Sequence, residues 1–103
     1  MRKIYALIFL FIFASHSFVH AIEIVTEHLP PYQIDSGNNE IGGASTEIIK
    51  AVLKEAMIDA KIKIYPWARA YRKAIEEENV LIYSIARSKE REEKFKWVGK
   101  LYE

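Results

Sequence analysis

Seven side chains in this sequence have the chemistry of a binding site for a small polar ligand. They are two aromatic rings, three guanidinium groups, a carboxylate and a hydroxyl: Tyr32, Trp67, Arg69, Arg87, Arg91, Glu27 and Ser84. Aromatic rings cover the apolar surface of a ligand, and the planar fork of an arginine binds a carboxylate through two parallel hydrogen bonds. The set therefore predicts binding of a small polar solute, in particular an anionic one.

The densest part of this set is a corner at residues 65–71. The alternating residues 61–65 predict a strand before it, and Pro66 is typical of a first helical position. In an open parallel sheet such corners lie at the carboxyl ends of the strands, where ligands bind. We therefore expect Trp67 and Arg69 to form one wall of a binding cleft.

The other members of the set follow two further predicted strands. Glu27 and Tyr32 come after the strand 22–26, while Ser84 and the two remaining arginines lie at or after the end of the strand 80–85. Because the carboxyl ends of parallel strands share one edge of a sheet, these groups should converge there.

Each side chain also has an ordinary structural interpretation. Trp67 begins an apolar helical stripe and suits a core, and Tyr32 can pack on a nearby hairpin. Arg69 falls on the solvent side of its helix by periodicity, and Arg91 belongs to a charged run, residues 89–94, that is typical of a solvated helix. The sequence leaves both interpretations open.

The elements that must position these groups alternate between strand and helix. The predicted order is strand 22–26, a hairpin over 32–43, a helix from 45 to 58 or 59, strand 61–65, helix 66–78, strand 80–85, short helix 89–94 and strand 95–98. This order predicts an α/β fold with an open, mostly parallel sheet and flanking helices. The stripe of the first helix consists of apolar residues at helical spacing: Ile48, Ile49, Val52, Leu53, Ala56 and Met57.

The ends of the helices are marked by specific residues. Ser45 or Thr46 is predicted to cap the first helix, and Asn79 is predicted to stop the second in a left-handed conformation. Gly42 and Gly43 are either the exit of the hairpin or backbone donors for an anion at the helix start. The hairpin exit is the commoner arrangement, and we prefer it.

Composition excludes several classes of function. The chain has 103 residues, a formal net charge of +1 and no cysteine. It is therefore one domain at most, without disulfides, thiol chemistry or cysteine-based metal sites. It lacks the clustered basic face that nucleic-acid binding requires. There is no phosphate-binding glycine loop and no nucleophile elbow, and His28 has no second ligand beside it, so we expect no cofactor, no metal and no enzymatic activity.

The first 21 residues have the pattern of an export signal. Arg2 and Lys3 precede a continuous apolar run at residues 4–14, and Val19 and Ala21 place small residues at the positions that a signal peptidase reads. The run is shorter than the roughly 20 residues that span a bilayer. We expect cleavage after Ala21 and a periplasmic location; an uncleaved anchor is the alternative.

Four motifs in order resemble the bacterial extracellular solute-binding proteins of family 3, which serve transporters of polar amino acids and related solutes. The motifs are Ile24-Val25-Thr26-Glu27 with Pro30-Pro31-Tyr32; Gly42-Gly43-Ala44-Ser45-Thr46-Glu47-Ile48; Tyr65-Pro66-Trp67-Ala68-Arg69-Ala70; and Ser84-Ile85-Ala86-Arg87-Ser88-Lys89-Glu90-Arg91 with Phe95-Lys96-Trp97-Val98-Gly99. The resemblance covers nearly all of the chain after the leader.

The resemblance implies the first lobe of a periplasmic-binding-protein-like (type II) fold, in which two lobes close on a ligand. It implies that Arg91 holds a ligand carboxylate, that the loop 27–32 supplies an acidic group and an aromatic wall, and that Ser84 contributes a hydroxyl. Ala86 stands where the family often has a hydroxyl, so an amino acid is not established as the ligand. An inner-membrane ABC permease is the implied partner of a monomeric, full-length version.

The chain has less than half the length that this family requires. We therefore expect residues 22–103 to be an incomplete N-terminal lobe that lacks the second lobe, with a strand missing from the sheet edge. Three alternatives remain: the sensing domain of a receptor, part of a dehydratase or a cell-wall lytic enzyme, and a small secreted α/β protein without a ligand.

Overall fold

The computed structural model of the chain describes residues 21–38 and 40–102. Its strands and helices are β1 Glu23–Thr26, β2 Ile34–Asp35, β3 Ile41–Gly42, α1 Ala44–Glu55, β4 Lys61–Ile64, α2 Trp67–Glu76 and β5 Val80–Ile82. Apart from Ala21, the predicted leader lies outside the described residues. Neither of the two helices has the length and apolar character that crossing a membrane requires.

The main sheet has three parallel strands in the order β4-β1-β5. Ile24 of β1 lies opposite Ile62 of β4 and Leu81 of β5, and both neighbours run parallel to β1. Because β1 is central, Ile24, Val25 and Thr26 are all buried. The predicted α/β class with a parallel sheet is therefore confirmed.

Alternation along the strands separates the two faces of the sheet. In β4, Ile62 and Ile64 are half-buried, while Lys61 and Lys63 point to solvent. Helix α2 packs on β1 and β5, and its Ala70 is completely buried. The alanine permits close approach of the helix because it has no bulk beyond its β-carbon.

The predicted hairpin is present as the antiparallel pair β2–β3. The Asp35 carboxylate accepts a hydrogen bond of 3.0 Å from the Gly37 N–H and stabilises the turn between the strands. Asn79 has the predicted left-handed conformation, with a φ of 61° directly before β5, but α2 already ends at Glu76 and Glu77 is extended, so Asn79 is not the residue that stops the helix.

The predicted caps of the helices are wrong. The residue that precedes α1 is Gly43, whereas Ser45 and Thr46 lie inside the first turn with both side chains buried. A loop carbonyl takes the place of a side-chain cap, as described below. Pro66 precedes α2 as its N-cap instead of forming its first residue.

Two predicted elements near the C-terminus are absent from the described chain. Residues 89–94 form turns instead of a helix, with the Arg91 N–H bonded to the Ser88 carbonyl and the Lys94 N–H to the Arg91 carbonyl. Residues 95–98 are irregular instead of a strand. Strand β5 ends at Ile82, short of the predicted residue 85, because Ser84 has a φ of 59° that breaks an extended chain.

The apolar stripe of α1 is only partly covered. Leu53 is half-buried, but Val52 is 54% exposed, and Met57, which lies beyond the end of the helix, is 92% exposed. Within the described residues, the main sheet has no further strand beyond β4 or β5, so both outer edges are unpaired.

Candidate functional site

Four aromatic rings and two guanidinium groups form a continuous row that joins α2 to the segment 87–97. We call this row the aromatic–arginine cluster; its members are Trp67, Tyr71, Phe95, Trp97, Arg87 and Arg91. The ring centroids are separated by 5.9 Å for Trp67–Tyr71, 5.6 Å for Tyr71–Phe95 and 5.7 Å for Phe95–Trp97. These separations lie in the range of favourable aromatic pairs, and the last two have the edge-to-face geometry.

Arg91 lies over two of these rings. Its guanidinium carbon is 5.7 Å from the Trp67 centroid and 5.3 Å from the Tyr71 centroid. Its Nη1 donates a hydrogen bond of 3.0 Å to the Ala86 carbonyl. Among the described residues, no carboxylate forms an ion pair with Arg91. These contacts therefore hold the Arg91 guanidinium in place. No acidic side chain among the described residues compensates its charge.

Arg87 has a different environment from Arg91. Its guanidinium is 5.1 Å from the Trp97 centroid and binds the Glu92 carboxylate through two hydrogen bonds, of which Nε to Oε2 measures 2.7 Å. This pairing raises the pKa of Arg87 and lowers the pKa of Glu92. Since Glu92 compensates the charge of Arg87, the cluster contains one compensated and one uncompensated guanidinium among the described residues.

Tyr32 lies against the C-terminal segment. Its ring meets the Tyr102 ring edge to face at 5.6 Å, and the Tyr102 hydroxyl is 3.0 Å from Ser45 Oγ. The Tyr32 carbonyl accepts the Ser45 N–H at 2.9 Å, and the Pro31 carbonyl accepts the Ala44 N–H at 3.0 Å. These carbonyls occupy the first donors of α1, so the glycine pair serves as the hairpin exit and not as an anion site.

Ser84 reaches the same loop through a buried amide. Its Oγ donates a hydrogen bond of 2.7 Å to Oε1 of Gln33, whose side chain is completely buried. Gln33 Nε2 is also buried and has no partner among the described residues. An unpaired buried donor is costly, so Nε2 lowers the stability of the fold at this point, while the amide oxygen binds Ser84. This contact fixes the end of β5 relative to the loop that carries Tyr32.

A second buried polar network lies beside α1. Thr46 Oγ1 is 2.7 Å from the Tyr83 hydroxyl, and Thr26 Oγ1 donates a hydrogen bond of 3.1 Å to the Tyr83 carbonyl. All three residues are buried. Burial raises the pKa of Tyr83, although the hydrogen bond with Thr46 opposes part of this effect. The network ties α1, β1 and the end of β5 together.

Arg69 and Glu27 lie apart from the cluster. The Arg69 guanidinium is 4.6 Å from the ring of Tyr65, whose hydroxyl donates to a Glu23 carboxylate oxygen at 3.1 Å. Residues 67 and 69 point to opposite sides of a helix, because two residues turn the direction by about 200°. Glu27 is half-buried, and its carboxylate has no hydrogen bond with the described residues.

The structure therefore brings Trp67 and Arg91 into direct contact and links Arg87 to them through Trp97, Phe95 and Tyr71. Ser84 is joined to the Tyr32 loop but not to the cluster by any described side-chain contact. A separate groove of about 770 Å³ lies between α1, the hairpin and β4, and none of the seven predicted residues lines it. No group of three potential metal ligands occurs in the described parts of the chain.

Comparisons of the chain with family models, curated proteins and solved structures give no match. The candidate site is therefore interpreted from its own geometry.

Sequence reasoning missed three cluster rings and the buried amide. Tyr71 lies four residues after Trp67, a spacing that places both on one helix face, but such an apolar stripe predicts a core position equally well. Phe95 and Trp97 fall in the segment 95–98, which the sequence predicts as a strand. Gln33 had no signal, since its burial depends on contacts between distant parts of the chain.

Proposed function

We propose that this chain is the N-terminal lobe of an exported solute-binding protein of the family 3 type, and that it binds a small carboxylate-bearing solute. The observation that carries the proposal is Arg91, which lies over Trp67 and Tyr71 with no carboxylate partner among the described residues. A guanidinium fixed in this way is prepared to bind an external carboxylate, because little side-chain order remains to be imposed.

The topology supports the same proposal. A three-stranded parallel sheet brings the ends of β1, β4 and β5 to one edge, and chemistry-bearing residues follow each strand. In this proposal the lobe is non-enzymatic and monomeric, acts in the periplasm, and in a full-length version delivers its solute to an inner-membrane ABC permease.

We expect Arg91 to dominate solute affinity. A panel of amino acids, organic acids and amines should contain a compound that raises the melting temperature of the chain, because binding stabilises the folded state by mass action. Replacing Arg91 with methionine should weaken that compound about 10- to 100-fold, since hydrogen bonds to a charged group contribute about 1.5–3 kcal/mol. Isothermal titration calorimetry gives the two dissociation constants.

Arg72→Met is the matched control, because Arg72 is an exposed arginine of α2, the helix that carries Trp67 and Tyr71, and has no ion pair or side-chain hydrogen bond to the described residues. It should leave the affinity within twofold. Equal affinities of the wild-type chain and the Arg91→Met variant would refute the assigned role of Arg91. The absence of any binding compound for a folded sample would favour a small secreted protein without a ligand.

Export is tested by the sequence of the mature N-terminus. When the full chain is expressed in a bacterium with a periplasm, the recovered protein should begin at Ile22. Ala21→Arg should block processing, because a signal peptidase requires a small residue at this position. Recovery of a wild-type chain that still begins at Met1 would contradict the predicted cleavage.

A further inference from the structure

We propose that the aromatic–arginine cluster binds a monocarboxylate that carries an aromatic ring and no ammonium group. This inference deepens the proposed function and rests on it, since it specifies the class of solute for the same site. Three features of the cluster lead to it: its single uncompensated charge, its row of ring faces and edges, and its lack of an acidic group for an ammonium.

The first feature is the charge. Both arginines of the cluster lie over rings, but only Arg87 has a carboxylate partner among the described residues, and Glu92 binds it through two hydrogen bonds. The Arg91 guanidinium donates one hydrogen bond to the Ala86 carbonyl, and its other N–H groups remain available for a ligand. The site therefore offers bidentate binding to one carboxylate group, which favours a monoanion over a dianion.

The second feature is the arrangement of the rings. Trp67, Tyr71, Phe95 and Trp97 are each half-buried, so all four retain accessible surface. The successive pairs from Tyr71 to Trp97 meet edge to face, with interplanar angles of 67°. A ligand ring held next to Arg91 can continue this row with another edge-to-face contact, which an aliphatic group cannot form.

The third feature concerns ammonium groups. Within the described parts of the chain, Glu92 is the one carboxylate that contacts the cluster, and Arg87 already occupies it. Glu27, which the resemblance assigns to a ligand ammonium, forms no hydrogen bond or ion pair with a member of the cluster. The ammonium of an α-amino acid would therefore find no unoccupied carboxylate in the cluster and would lie close to the guanidinium of Arg91, and this repulsion between like charges opposes binding.

The test is calorimetric titration of the full chain with four probes. Phenylacetate has the proposed chemistry; cyclohexylacetate removes the aromatic ring, 2-phenylglycine adds an ammonium group on the same carbon skeleton, and 1,4-phenylenediacetate adds a second carboxylate. Phenylacetate should bind about threefold or more tighter than cyclohexylacetate, consistent with the gain from one aromatic pair. It should also bind more tightly than 2-phenylglycine, and the dianion should bind no tighter than phenylacetate.

Variants of Trp67 separate recognition from folding. Trp67→Leu should weaken phenylacetate while leaving cyclohexylacetate nearly unchanged, and Trp67→Phe should restore the difference because it restores a ring. If Trp67→Leu does not fold, Trp97→Leu at the other end of the row is measured in its place. This variant keeps Arg91 and the two rings beneath it, so it should retain most of the preference for phenylacetate over cyclohexylacetate, as Trp67→Phe does.

The outcomes distinguish this inference from the proposed function. If 2-phenylglycine or an aliphatic amino acid binds through Arg91 and phenylacetate does not, the inference is overturned and the solute-binding function stands. If no carboxylate binds to a chain that unfolds cooperatively, both are overturned. Phenylacetate binding that survives Arg91→Met unchanged would also overturn the inference, because the ligand would then lie elsewhere.

Discussion

Replacing Gly43 with alanine should destabilise the fold by at least about 2 kcal/mol, because Gly43 has φ 99° and ψ 162°. Only glycine populates this region freely, and a non-glycine residue there costs about 1–3 kcal/mol. A methyl group at this position would also lie 2.7 Å from the Tyr32 carbonyl carbon and 2.9 Å from the Gln33 Cα. Both atoms belong to the backbone, so rotation of a side chain cannot relieve the overlap.

The neighbouring glycine is a matched control. A β-carbon on Gly42 would meet no atom within 4 Å, so Gly42→Ala should change the free energy of unfolding by less than about 0.5 kcal/mol. Urea unfolding followed by circular dichroism measures both variants. Equal free energies of unfolding for the two variants would show that residue 43 does not lie against the backbone of Tyr32 and Gln33.

The same substitution should also disturb the loop that carries Tyr32. The Tyr32 carbonyl accepts the Ser45 and Thr46 N–H groups of α1, and Gln33 holds Ser84, so an alanine at residue 43 pushes on the loop that joins them. Any solute affinity that depends on Tyr32 should fall in Gly43→Ala and remain in Gly42→Ala.

The parallel sheet was predictable because its signals are local. Strand β1 is β-branched and apolar, β4 alternates isoleucine with lysine, and each is separated from the next element by residues that favour turns or helix starts. Strands that alternate with helices then leave few possible topologies. The contact between Trp67 and Arg91 also follows from topology, since both residues come after strands of one sheet.

The turns at residues 89–94 were not predictable because their charge pattern also suits a helix. The pairing of Arg87 with Glu92, and the hydrogen bond of 3.2 Å from Trp97 Nε1 to the Glu92 carbonyl, join residues that a helix would separate. Tertiary contacts outweigh the weak intrinsic preference of a six-residue charged segment.

The capping of α1 also depends on distant residues. Ser45 and Thr46 have the usual side chains of a helix cap, but the Pro31 and Tyr32 carbonyls satisfy the donors of the first turn. The serine and threonine hydroxyls are consequently available to Tyr102 and Tyr83. A local rule places such residues before a helix and cannot foresee a loop that performs the same task.

Removing the hydroxyl of Tyr83 should destabilise the fold by about 1–3 kcal/mol, because it leaves the Thr46 hydroxyl buried without its 2.7 Å partner. Thr46→Val should have a similar cost for the converse reason. The double variant should be less destabilised than the sum of the two, because removing both partners leaves no unpaired polar group. Tyr65→Phe is the control, since its hydroxyl bonds a Glu23 side chain that remains partly exposed; it should cost less than about 1 kcal/mol.

Tyr83 should also make the stability of the wild-type chain depend on alkaline pH. Burial raises the pKa of Tyr83 above its ordinary value of 10.0, so the unfolded chain releases this proton at a lower pH than the folded chain does. Above about pH 10 the unfolded state therefore binds fewer protons, and the free energy of unfolding falls as pH rises. Tyr83→Phe has no such proton, so the stability difference between the wild-type chain and the variant should narrow from pH 9 to pH 11. A constant difference across that range would mean that folding does not raise the pKa of Tyr83.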